Sequence, residues 1–335
     1  MVSEYLLFAA KSITWIAAIL LLVGGLGLLA RKGQQLSGRG HLEVTDLGAE
    51  VRGMGQVLDT AMAGPRERRT LRKAWRRNRR TATAAAAAAA GNRVFVIDFT
   101  GDLQASGVTA LRHEVTALLS RVRPDDEVVV RLESAGGLVH AYGLAASQLD
   151  RIAQAGTRLT VCVDKVAASG GYLMACVADR ILAAPFAVLG SIGVIAQVPN
   201  IHRLLKRHDI DVELLTAGQY KRTLTMLGEN TDAGRDKFQS DLDTTHALFK
   251  QYVAERRPDL DIEAAATGEI WLGTRAQAMG LVDAIQTSDE YLATRAAAGA
   301  AVYELSYRCR QSWRQRLGLA SAADDSWLGG VRLPV

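Results

Sequence analysis

The chain has 335 residues, of which 49% are hydrophobic and 22% charged, with a formal net charge of +5. That length and balance exclude a disordered chain and a small disulfide-stapled domain, and leave room for one or two sizeable cores. Its three cysteines, Cys162, Cys176 and Cys309, follow no metal-site or disulfide-framework spacing, and the serine–lysine chemistry set out below calls for neither a metal nor a cofactor.

The first predicted element is a membrane anchor. Residues 12–30 carry no charge, and Arg31 and Lys32 follow at once. At 1.5 Å per residue such a run spans roughly 30 Å, enough to cross a bilayer. A cleaved signal peptide fits less well, because Glu4 offsets Lys11 before the run and no small-x-small exit follows it. The positive charges after the run favour the cytoplasmic face of an inner membrane for the body, although the strongest block lies far from the span and leaves the periplasmic face open. That block, residues 66–80, holds nine basic groups and one acid, so the rest of the chain is slightly acidic. It reads as a solvated helix or a lipid contact. No specific nucleic-acid partner is expected, since no aromatic-interleaved surface accompanies it. An alanine run at 81–90 extends the helix, and Gly91 and Asn92 end it.

Beyond this neck the pattern alternates between strands and helices. Strands are expected at 93–99, 127–132, 158–163 and 180–183, and helices at 108–122, 144–153 and 171–178. Val- and Ile-rich strands separated by helices argue for an α/β body with a largely parallel sheet. In such sheets ligands gather at the carboxyl ends of the strands. The glycine-bearing segments 134–137 and 168–171 both fall there. A short amphipathic helix is expected at 201–208, a long polar helix at 234–256, and a closing helix–strand unit over 264–285. The predicted divisions are an N-terminal segment (1–30), a basic and Ala-rich neck (31–92), a catalytic domain (93–300) and a basic C-terminal tail (301–335).

Two residues carry the candidate chemistry. Ser169 follows an apolar strand-like run and precedes two glycines at a helix start. Lys221 closes the polar segment 216–221 (TAGQYK). A serine hydroxyl needs a base to become a nucleophile, and no histidine lies in a comparable setting. A lysine serves only when its amine is neutral, a state favoured by burial among apolar neighbours such as Leu214 and Leu215. Backbone N–H groups of Gly170, at the helix start, and Gly136, in the earlier loop, could face an oxyanion. Lys165 is a rival base. His140 is a rival base and a candidate substrate contact, whereas His113 reads as structural.

The blocks 131–137 (RLESAGG), 139–147 (VHAYGLAAS), 164–172 (DKVAASGGY), 175–179 (ACVAD), 190–193 (GSIG) and 216–221 occur in this order. With the anchor and basic neck, they resemble the signal peptide peptidase A family in its SohB-type branch of membrane-anchored serine proteases. The resemblance implies Ser169 as nucleophile, Lys221 as general base, Gly136 and Gly170 as oxyanion donors, and Gly137, His140, Gly171 and Ser191 as candidate cleft residues. It implies an α/β fold of the ClpP and crotonase superfamily, a spiral of repeated β-β-α units preceded by one transmembrane helix. A homo-oligomer, contact with the lipid bilayer, and substrates such as signal-peptide remnants or membrane-protein fragments also follow from it. Ala135 stands where the family loop commonly has proline, which removes a fixed φ. Two other readings compete: a crotonase-like enzyme acting on acyl-thioesters, and a non-enzymatic membrane scaffold.

Overall fold

The computed structural model describes residues 40–64, 66–71, 73–75 and 92–308. They fall into two compact units. In the smaller one, which includes Gly40 to Glu43, Tyr307 and Arg308, the Arg308 guanidinium donates to Glu43 Oε2 at 2.5 Å. The larger, residues 44–306, carries the features below except for the first three residues of β1 and the last two of β10.

Strand β1 (His41–Asp46) leads into helix α1 (Leu47–Met62), whose N-cap Asp46 accepts the Ala49 N–H. The sheet of the larger unit is built from β2 (Arg93–Gly101), β3 (Glu127–Ser134), β4 (Arg158–Val163), β6 (Arg180–Ala183), β9 (Ala284–Ile285) and β10 (Ala301–Arg308). Their spatial order is β10-β2-β3-β4-β6-β9, with every neighbouring pair parallel. The period-2 alternation of β2 explains why both faces are covered. Phe95, Ile97 and Phe99 face a core closed by α2 (Val108–Leu119), α3 (Val139–Gln154) and α4 (Gly170–Ala175). Val94 and Val96 face a second cluster with Val129, Cys162 and Leu182, closed by Tyr291 and Leu292 of α9 (Ser288–Ala297).

A branch leaves the main sheet where the candidate chemistry lies. The three-residue strand β5 (Val166–Ala168) pairs with the end of β3 and with β7 (Val188–Gly190). Strand β8 (Ile270–Leu272) then adds to β7 antiparallel. This corrects the expected architecture. The α/β class and the mostly parallel pairing are present, but the described residues form one mixed sheet rather than a spiral of repeated β-β-α units. The short β5 and β7 are too brief to complete units of their own, and β8 reverses direction. Helix α5 (His202–Arg207) lies in an exposed arm, α6 (Asp232–Arg256) crosses the body, and α7 (Ile262–Ala265) and α8 (Gly273–Ala278) close the chain towards β9.

The membrane expectation is also corrected. No helix among the described residues is long and apolar enough to cross a membrane. The longest, α6, has 25 residues but is studded with charges such as Asp232, Lys237, Asp241, Lys250 and Arg256. The apolar run 12–30, on which the anchor, bilayer contact and inner-membrane location were all expected to rest, lies outside the described residues.

One ion pair links the starts of β2 and β3. Asp126, with a side chain 2% exposed, accepts from Arg93 Nε at 2.9 Å and Nη2 at 2.5 Å, and from the Arg123 N–H at 2.7 Å. Burial alone would raise its pKa, but these three donors outweigh burial and hold the carboxyl below its usual range. The folded pKa is below the unfolded value of about 3.9. The pair therefore stabilises above about pH 4, and that stability is lost as pH falls through the folded value. Asp126→Asn is expected to cost about 2 kcal/mol at pH 7. Its denaturant midpoint should fall less steeply than that of the parent between pH 5 and 2.5, and an identical slope would remove Asp126 as a source of acid sensitivity.

Candidate active site

Ser169 occupies the turn between β5 and α4. Its backbone has φ 51 and ψ −119, a conformation rarely adopted by a residue with a side chain. The turn is held from both sides: the Ser169 N–H donates to Gly190 O at 2.8 Å, and the Ser169 carbonyl accepts the Leu173 N–H at 3.0 Å. A strained strand-to-helix turn of this kind lifts the hydroxyl out of the sheet end while the first helical N–H groups remain unpaired.

Two glycines make the close approach around it. Gly136 has φ +90, and a Cβ there would lie 2.6 Å from Gly170 N and 2.8 Å from Ser169 Cβ. At Gly170 a Cβ would collide with the ring of Tyr142, a fully buried side chain of α3. The loop after β3 and the Ser169 turn therefore approach closely because Gly136 and Gly170 carry no side chain.

A cavity of about 220 Å³ opens beside Ser169. Its walls are mostly apolar: Val139 and Tyr142 from α3, Leu173 from α4, Val194 and Ile195 after β7, and Leu248, Phe249 and Tyr252 from α6. Tyr252 is fixed by its hydroxyl, which donates to Asp150 Oδ2 at 3.0 Å, and by the Arg256 guanidinium, 3.4 Å above its ring. Arg256 also pairs with Asp150 at 2.6 Å. Burial, followed by the Asp150 charge, pushes the Tyr252 phenol pKa up, so this wall stays neutral across the physiological range.

The expected site residues are distributed unevenly. Ser169, Gly170 and Gly137 line the one cavity. Gly136 lies against them, but its N–H donates to Ser134 Oγ at 3.0 Å, so it is committed elsewhere. Gly171 is buried against the Ser134 backbone carbonyl. His140 is exposed on α3 and does not line the cavity. Ser191 has φ 50 and donates its N–H to Glu269 O at 2.6 Å, anchoring the end of β7. Lys165, the rival base, is ion-paired with Glu133 at 2.9 Å and lines a different pocket.

Lys221 does not line the cavity beside Ser169. It is exposed in the arm between β7 and α6, its N–H closes a turn onto Gly218 O at 3.1 Å, and it is absent from the cavity walls. The expected apolar cover is missing too, since Leu214 is 50% and Leu215 89% exposed. Among the described residues, no group of three or more His, Cys, Asp or Glu is placed to hold a metal ion.

The α6 wall escaped the sequence reading, which registered a polar helix and overlooked Leu248, Phe249 and Tyr252. Their i, i+1, i+4 spacing was the available signal for one narrow apolar stripe.

Comparison with known proteins now bears on this geometry. Two models of one family match the chain in succession: that of the peptidase family S49 N-terminal part over residues 1–149, and that of peptidase family S49 itself over residues 151–302. The chain belongs to peptidase family S49. The probable protease SohB of Haemophilus influenzae is 57% identical over 225 residues, which are 67% of this chain and 64% of that protein. The probable protease SohB of Buchnera aphidicola subsp. Schlechtendalia chinensis is 54% identical over 202 residues, 60% of this chain and 66% of that one. The matched part thus spans a little under two thirds of these S49 relatives. Among solved structures, a membrane-bound stomatin-specific protease aligns at a TM-score of 0.41 and 13% identity, over 62% of this chain and 85% of its own, too loose a likeness to carry an argument. The SohB-type likeness anticipated from the sequence blocks is met by these relatives, but the membrane anchoring expected with it is not supported, since no helix among the described residues is long and apolar enough to cross a membrane.

Proposed function

We propose that residues 93–300 form a catalytic domain that cleaves extended peptides through an acyl-enzyme on Ser169, with Lys221 as the general base. The observation that carries this reading is the strained Ser169 turn at the mouth of an apolar cavity, with two unbonded backbone N–H groups beside it. Those of Gly170 and Gly137 have no acceptor among the described residues. Both belong to backbone that contacts the nucleophile turn, the arrangement that stabilises a tetrahedral oxyanion.

In the proposed reaction a peptide lies with one apolar side chain in the cavity. Ser169 Oγ attacks the adjacent carbonyl carbon as the Lys221 amine takes its proton. The carbonyl oxygen becomes an oxyanion held by Gly170 and Gly137. Collapse breaks the C–N bond, and Lys221 returns the proton to the leaving amine. Water, deprotonated in turn by Lys221, then hydrolyses the ester. For this the arm bearing Lys221 must move against the cavity.

The test joins labelling to specificity. A fluorophosphonate probe should modify Ser169, as read by peptide mapping. A peptide set varied at the residue before the scissile bond should be cut at least tenfold faster with Leu or Ala than with Asp or Lys. Undiminished labelling in Ser169→Ala would reject the nucleophile, and a preference for charged residues would reject the cavity as the substrate pocket.

A further inference from the structure

The loop after β3 is pinned at two points that bracket one free donor. At one end the Gly136 N–H donates to Ser134 Oγ at 3.0 Å. At the other the Leu138 N–H donates to Leu103 O at 2.9 Å. Between them the Gly137 N–H has no acceptor among the described residues and borders the cavity of Ser169.

The first pin continues inward. Ser134 Oγ and Tyr142 Oη lie 2.5 Å apart, and Tyr142 Oη lies 2.8 Å from Asp102 O. The protons in this chain can be assigned from chemistry alone. A backbone carbonyl only accepts, so the Tyr142 proton points at Asp102 O. Ser134 must then give its own proton to Tyr142 Oη, which frees its lone pairs for the Gly136 N–H. The result is a one-way relay: Gly136 N–H to Ser134 O–H to Tyr142 O–H to Asp102 C=O. Ser134 is 2% and Tyr142 0% exposed, so water does not compete for these partners. Burial raises the Tyr142 pKa, in keeping with a phenol that stays protonated and donating. Asp102 is itself fixed, its carboxylate accepting from the Ser106 N–H at 2.8 Å and the Ser106 hydroxyl at 2.7 Å. The Tyr142 ring also packs directly on Gly170. One side chain therefore touches both flanks of the oxyanion site.

We infer that Tyr142, acting through Ser134, is the positioning residue of the oxyanion site: the relay turns the Gly136 N–H inward and leaves the Gly137 N–H as the loop's donor to the reacting carbonyl. This rests on the acyl-enzyme reading above. It assigns a role to two buried hydroxyls that do not touch substrate. It also moves the loop's oxyanion donor from Gly136, the residue expected from the sequence, to its neighbour.

The experiment uses the full chain, an apolar peptide substrate and the matching peptide aldehyde, whose hemiacetal mimics the tetrahedral state. Tyr142→Phe keeps the ring against Gly170 and removes only the relay hydroxyl. It should lower kcat about 10²-fold, the usual cost of a misplaced oxyanion donor, with KM changed less than about threefold. Aldehyde affinity should fall by the same factor as kcat/KM. Ser134→Ala should act in the same direction, and the double variant should be no worse than the poorer single one, because both break one chain. If Tyr142→Phe fails to fold, by its melting transition, Ser134→Ala alone decides. A kcat within about fivefold of the parent, or a loss confined to KM, overturns the relay. Ser169→Ala run in parallel separates the two claims. If it is inactive while the relay variants remain active, only the relay fails; if it is fully active, the acyl-enzyme reading fails with it.

Discussion

Ser169→Ala should lower kcat for peptide hydrolysis by about 10⁴-fold or more, since it removes the attacking hydroxyl. The cavity is lined by glycines, aliphatic residues and aromatic rings, with Thr245 as the other aliphatic hydroxyl. The change is also structurally mild. Alanine keeps the Cβ that the turn already accommodates at φ 51, and the bonds to Gly190 and Leu173 are made by backbone. Stability should therefore stay within about 0.5 kcal/mol of the parent. A folded, inactive protein that no longer takes the fluorophosphonate label is the expected result. Residual turnover within a hundredfold of the parent would mean that another group performs the attack.

The second large effect is expected at Lys221. Lys221→Ala should reduce kcat by about 10³-fold, the scale of losing a general base. Its melting transition should not move, because the side chain is exposed and the turn to Gly218 is made by the backbone N–H. Chemical rescue gives the sharper test. Lys221→Cys treated with bromoethylamine regains an amine at nearly the original reach, and activity should return with it. Cys162 and Cys176 are buried, and burial pushes both thiols up to about 12, so neither competes for the reagent, and Cys309 is replaced by serine beforehand. Activity of Lys221→Ala within tenfold of the parent would remove Lys221 from the mechanism. A dead Lys221→Cys that aminoethylation fails to revive would point the same way, because a base restored in place must restore turnover.

What could be read from residue types divides along physical lines. The strand-to-helix turn at Ser169 was legible because an apolar run ending in small residues has few options other than a buried strand meeting a helix start. The alternation in β2 and β3 was legible for the same reason, since burial on both faces demands it. The donor identity in the 134–138 loop was not. Which N–H faces the cavity depends on Gly136 adopting φ +90 and on where Ser134 sends its hydrogen bonds, and neither is encoded in the motif. The place of Lys221 was illegible because the arm has few tertiary contacts to fix it, leaving Leu215 and Tyr220 open to solvent. The branch through β5, β7 and β8 escaped because strands of three residues leave almost no periodicity to detect.

The placement of the cavity wall on α6 and of the β7 brace on β8 has a consequence for how the candidate site is assembled. Ser169 leaves the ribosome well before Leu248, Phe249 and Tyr252, and earlier still than Trp271, which pairs with Leu189 beside it. At about 5–20 residues per second, several seconds separate Ser169 from its wall. During that interval the nascent chain carries its hydroxyl without a groove to grip a peptide. Translation order thus places completion of the groove after synthesis of the Ser169 turn, so the later half of the chain must fold before the cavity exists.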